Sequence, residues 1–139
     1  MRLWNIVPAD PISVKNPDAR RVEEFVEDIA GFLRGYFDLN EISAFRITSI
    51  DLFSDTPSPR DVGAGYEIGR SEIRPVVEGV IRGDYAIIAR ESGCRCFSFG
   101  YDYDMWICTK HDDEIPRDQT SLSLSDISED LIKTDWYDN

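Results

Sequence analysis

Four side chains able to bind a soft metal ion fall within a short stretch: Cys94, Cys96, Cys108 and His111. Two positions apart on a strand, Cys94 and Cys96 point to the same side; Cys108 belongs to the next strand and His111 follows closely. The spacing Cys-x-Cys, then Cys-x-x-His, is not that of a zinc knuckle, and free cysteine serves more often as a small core side chain. The four residues define a metal-binding or enzymatic alternative, but no metal ligand is assigned. His111 is the sole histidine. A nucleophilic site needs an imidazole between a nucleophile and an orienting acid, whereas His111 sits among Lys110, Asp112 and Asp113 with no Gly-x-Ser-x-Gly elbow in the chain. Asp102-Tyr103-Asp104 lacks the central glycine and distal glutamate of a calcium loop. The glycines at 63, 65 and 69 are spaced one residue too widely for a dinucleotide fingerprint. The carboxylate groups Asp102/Asp104, Asp112/Asp113/Glu114 and Glu129/Asp130 have no defined separation across a pocket, which acid–base chemistry requires. The expectation is a protein with no catalytic residue and no cofactor.

Aromatic residues interleaved with acids are the remaining feature. Tyr101-Asp102-Tyr103-Asp104-Met105-Trp106 lies at a turn and strand start, and Asp135-Trp136-Tyr137-Asp138 closes the sequence. Protein interfaces concentrate binding energy in tryptophan and tyrosine anchors, and carboxylates around them accelerate association with a basic partner. By alternation Trp106 itself reads as a core residue. The net charge is −12, from 27 acids and 15 bases. Residues 102–139 hold 11 acids and 3 bases, so most of the excess is in the last part of the chain. Such a field repels nucleic-acid phosphate and anionic lipid and attracts cationic proteins. No stretch approaches the ~20 apolar residues of a membrane span, and Met1-Arg2-Leu3-Trp4-Asn5 is not a secretory signal, so a cytoplasmic location is expected. Three cysteines cannot all pair, and a disulfide framework is not expected in a reducing compartment.

The run Phe97-Ser98-Phe99-Gly100-Tyr101-Asp102-Tyr103-Asp104-Met105-Trp106-Ile107 resembles an F-G-Y-D-Y-Y-M-Y type of run found in some small bacterial immunity proteins of polymorphic and contact-dependent toxin systems. The sequence departs from that run at Asp104, where an aromatic is expected. The resemblance implies a cytosolic inhibitor that binds a cognate basic toxin domain, often a nuclease, and blocks its active site. The contacts assigned on this reading are Tyr101, Asp102, Tyr103 and Asp104, the loop acids Asp112, Asp113 and Glu114, and the terminal Asp135, Trp136 and Tyr137. Another protein-binding adaptor or inhibitor is the further alternative.

These residues need a frame. The length of 139 residues and the apolar fraction of 42% suit one domain over 1–139 with a core of its own. Residues 2–7 read as a strand. Asn16-Pro17 starts a helix that carries Val22, Phe25, Val26, Ile29, Phe32 and Leu33 on one face and stops at Gly35. Residues 43–53 alternate as a strand, and 54–65 are a loop of helix and strand breakers. Ile73, Val76, Val77, Val80 and Ile81 form a second helix ending at Gly83, with Pro75 in its first turn. Strands at 84–91, 94–99 and 103–109 follow through turns at Glu91-Ser92-Gly93 and Gly100-Tyr101-Asp102, a meander. Residues 110–123 read as an exposed loop, and Ser125 as the cap of a short final helix with Ile127, Leu131 and Ile132. The prediction is an α+β fold: a mostly antiparallel sheet of about five strands, two main helices on one face and a short C-terminal helix.

Overall fold

The computed structural model describes residues 1–53, 62–91, 94–100 and 102–128. The chain order is β1 (Arg2–Pro8), α1 (Ala19–Leu39), β2 (Ala44–Leu52), β3 (Glu67–Gly69), a single 3-10 turn, α2 (Ile73–Ile81), β4 (Tyr85–Arg90), β5 (Cys96–Gly100), β6 (Asp104–Thr109) and β7 (Leu122–Asp126). The strands form one sheet in the order β3-β2-β4-β5-β6-β1-β7, every neighbouring pair antiparallel. The α+β class and the β4-β5-β6 meander match the sequence-based expectation. Seven strands replace the expected five or so. No helix among the described residues is long and apolar enough to cross a membrane.

Each helix packs through one apolar stripe. Phe25, Val26, Ile29, Ala30, Phe32, Leu33, Tyr36 and Phe37 of α1 are buried, as are Ile73, Val76, Val77, Val80 and Ile81 of α2. They meet the inward residues of the strands, among them Ile6, Phe45, Ile47, Ile87, Phe97, Phe99, Met105 and Ile107. Each such side chain contributes roughly 1.5–3 kcal/mol by leaving water. Arg74 joins the two helices from outside: its guanidinium reaches Glu23 and Glu27 of α1 at 2.5 Å each, and Glu78 of α2 at 2.6 Å.

The boundaries correct three expectations. Asp18, not Asn16, caps α1, its carboxylate accepting from the amides of Arg20 and Arg21 at 2.9 and 3.4 Å. Gly35 does not end α1. The helix runs through it to Leu39, and the missing side chain admits Pro116, whose Cγ lies 3.1 Å from where a Cβ would stand. The glycine serves close approach rather than termination. Third, Leu122–Asp126 is a strand paired with β1, Leu124 opposite Ile6 and Ser125 opposite Asn5. Ser125 therefore does not cap a helix there; Leu131 and Ile132 lie outside the described residues.

Gly79 is buried in the middle of α2, where an added methyl group would overlap the Tyr85 ring. That ring is itself buried, and its hydroxyl donates to the Val76 carbonyl at 3.2 Å. Alanine gains about 1 kcal/mol of helix propensity over glycine, but overpacking costs about 1–3 kcal/mol. Gly79→Ala is expected to lower stability in urea denaturation. A gain instead would show that Tyr85 moves aside freely.

Candidate functional site

Both helices cover the same face of the sheet, so alternation leaves the other face to the even-numbered residues of β4, β5 and β6 and the odd-numbered residues of β1. A row runs across this face in register over six strands: Ser49, Ile88, Ser98, Trp106, Asn5, Ser125. Trp106 stands in it half-buried. The alternation that suggested a core position for Trp106 is real, but its phase is opposite: Met105 and Ile107 point to the helices and are fully buried.

Towards the β5–β6 turn the face ends in carboxylates. Asp51 is opposite Ala86, and Asp104 is opposite Gly100 and accepts from the Asn5 amide. Asp102 is exposed in the turn itself. Among the described residues none of these three carboxylates has an ion pair. Leu52 and Phe53, 57% and 52% exposed, continue the same end of β2, and a depression of about 110 Å³ lies among Ser49, Asp51, Ala86, Ile88 and Ser98. At the opposite end the signs are mixed: Arg46, Arg90, Glu41, Glu67 and Glu91 border an open cleft of about 610 Å³, with Arg46 and Glu67 paired at 3.0 Å. On the helix layer arginines offset many of the acids, through Arg74, through Arg70 with Asp38, Arg82 with Glu78, and Arg20 with Glu24. Among the described residues, the uncompensated negative charge of the face away from the helices is thus gathered at its β5–β6 end.

The residues singled out from sequence separate into groups. Asp102 and Asp104 belong to the uncovered face. Tyr103 does not: it takes a left-handed backbone (φ 61°) that turns its ring inward against Phe25, edge to face at 5.7 Å. Asp112 and Glu114 are exposed, but they follow the far end of β6, roughly 20 Å of strand from Asp104 at about 3.3 Å per residue. The sequence groups the two acidic clusters; the strand between them holds them apart. Tyr101, Asp135, Trp136 and Tyr137 lie outside the described residues.

Asp113 is not a surface contact. Its side chain is 2% exposed, and its two oxygens accept from Arg95 Nε at 2.9 Å and Nη2 at 2.7 Å, from the Tyr36 hydroxyl at 2.5 Å and from the Lys110 amide at 3.0 Å. Burial opposes its charge, but these donors outweigh that and hold its pKa down to about 2. Tyr36 is shifted the other way, by burial first and then by the neighbouring carboxylate. The segment after β6, expected to be an exposed loop, is fastened along α1. Glu114 exchanges two hydrogen bonds with Asn40 at 2.8 and 2.9 Å, Pro116 fills the notch at Gly35, Gln119 Nε2 lies 3.3 Å from where a Cβ on Gly31 would stand, and the Ser121 hydroxyl donates to Asp28. Arg95 gave no sequence signal; only contact across the fold pairs it with Asp113.

The cysteine–histidine set also divides. Cys96 and Cys108 face each other across β5 and β6, both fully buried, Cys94 is half-buried beside them, and His111 is exposed in the following turn. Among the described residues no group of three or more His, Cys, Asp and Glu side chains is placed to hold a metal ion. A scan against protein-family models and searches of curated proteins and of solved structures give no significant match, so functional inference rests on this chain's own residues.

Proposed function

We propose that this chain is an acidic immunity protein that acts in the cytoplasm, binding a basic toxin domain through the uncovered face of its sheet and blocking it stoichiometrically. The observation that carries this reading is the register row around Trp106 on the sheet face away from the helices, which ends in the carboxylates of Asp51, Asp102 and Asp104, without ion pairs among the described residues. Trp106, flanked across the strands by Ser98 and Asn5 and packed on Leu3, Cys96 and Cys108, offers one large anchor at the middle of a patch, the position in which interface energy concentrates. Carboxylates at the rim steer a cationic surface into place. On a nuclease toxin they would occupy the ground where substrate phosphates are held. The net charge of −12 disfavours nucleic acid and anionic membrane as direct partners.

The test is to express the products of the genes that flank this one, select a basic toxin domain among them, and follow its association with this chain at low and high ionic strength. Trp106→Ala is expected to weaken binding by about 2 kcal/mol or more, mostly through faster dissociation. Replacing Asp51, Asp102 and Asp104 together by asparagine is expected to slow association and flatten its salt dependence. Wild-type rates in that triple variant would exclude this face as the steering surface.

A further inference from the structure

A second register row crosses the sheet face away from the helices: Arg46, Arg90, Cys96, Cys108, Leu3. Its centre is a pair of thiols on neighbouring antiparallel strands, directly opposite one another. Opposed residues in such strands have Cα atoms about 4.5–5.5 Å apart, inside the roughly 4.4–6.8 Å that a disulfide spans. The spacing of the two strands is therefore compatible with a bridge between them. The pair and Leu3 form an apolar island of their own, separate from the main core and covered by Trp106 and Ile127. The cover is tied down at Leu3, whose carbonyl accepts from the Ile127 amide at 2.8 Å and whose amide donates to the Ser128 hydroxyl at 3.2 Å.

We propose that Cys96 and Cys108 are a reversible dithiol–disulfide site, oxidised by hydrogen peroxide to a cross-strand bridge. The two sulfurs are distinguished by their surroundings. The neighbouring Cys108 and Arg90 draw the Cys96 thiol below its ordinary range despite burial, and Cys108 is pushed up by its neighbour Cys96 and by burial. The thiolate is the reactive form, and in the proposed step the attacking residue is Cys96. Its sulfur attacks one peroxide oxygen, breaking the O–O bond and giving a sulfenic acid and hydroxide. The Cys108 sulfur then attacks the sulfenic sulfur, forming the S–S bond and expelling hydroxide, and the two thiol protons complete two waters. Two electrons pass from the sulfurs to the peroxide. A dithiol reductant such as dithiothreitol returns them. Cys94, half-buried on the same stretch, is the competing thiol.

The experiment is peroxide treatment of the folded chain, with intact-mass measurement, alkylation of remaining thiols and peptide mapping. The expected result is loss of two hydrogens, loss of two alkylatable thiols out of three, and a crosslink joining Cys96 to Cys108, all reversed by dithiothreitol. Cys94→Ser should leave this result unchanged, and Cys108→Ser should stop the reaction at a Cys96 sulfenic acid that dimedone traps. The wild-type map alone decides the proposal even if Cys108→Ser fails to fold. A bridge that includes Cys94, oxidation confined to Cys94, or three thiols that stay reduced while the urea-unfolded chain oxidises would each overturn it.

Discussion

Replacing Asp113 by alanine is expected to cost about 3–5 kcal/mol of folding stability, the range found when one partner of a buried ion pair is removed. Arg95 is 11% exposed in its side chain, so without Asp113 its charge keeps, among the described residues, the Glu91 carboxylate at 3.3 Å, and the Tyr36 hydroxyl and Lys110 amide lose their acceptor as well. Domains of this size have about 5–15 kcal/mol in all, so the loss is a large share of the total. Urea denaturation measures it; a change under ~1 kcal/mol would show that water replaces the carboxylate. Asp113→Asn keeps the shape and one acceptor but loses the charge, and is expected to fall between the two. The pH dependence has a definite sign. The folded pKa of Asp113, about 2, is below the ordinary carboxylate value of about 4. The associated stability is present above about pH 4 and is lost as pH falls towards 2. The difference between wild type and Asp113→Asn should shrink over that window. The result bears on function too. Neutralising Asp112, Asp113 and Glu114 together, the natural test of an acidic binding loop, would release the segment from α1 instead of reporting a contact. Asp112 and Glu114 alone are the informative pair there.

Phe45→Ala is expected to have a comparable effect for a different reason. Phe45 is fully buried on β2 and stands between Phe37 of α1, stacked at 5.4 Å, and Phe97 of β5, tilted at 5.1 Å. Truncation removes both ring contacts and leaves a cavity between the helix layer and the sheet, which costs about 3–5 kcal/mol when large aromatic residues are cut back. Phe45→Leu fills much of that space and should lose about half as much. The expected signature is a lower urea midpoint with an unchanged slope, because the surface exposed on unfolding is the same. A changed slope would mean that the native sheet has loosened. Trp106→Ala provides the contrast. Its ring is half-buried on the uncovered side, so its stability loss should be smaller than that of Phe45→Ala while its effect on partner binding is larger. That opposition separates the face that binds from the face that folds.

Much of the frame was legible in the residues themselves. The apolar positions of α1 recur at helical spacing over five turns, and no strand places Phe25, Ile29, Phe32 and Tyr36 on one side. The meander was legible because its pairings are local: each strand's partner follows directly after a short turn. The misses have the opposite character. Leu122 and Leu124 alternate with serines, but their strand exists only because β1, more than a hundred residues earlier, offers its edge, and Ser125-Asp126 imitates a helix cap when read locally. Gly35 has the composition of a helix stop, and Pro116 alone reveals it as a notch. Asp113 looks like its neighbours Asp112 and Glu114, and its burial depends on Arg95 and Tyr36, brought to it from β5's approach and from α1. Composition determined that the chain is acidic, and periodicity determined which residues make helices and which make strands. Tertiary structure decided which sheet face the helices cover, and with it whether Trp106, Cys96 and Cys108 belong to the main core or to the other side. Period-2 alternation defines two faces of a strand but does not say which one will be buried, because that choice is made by the elements that pack against it.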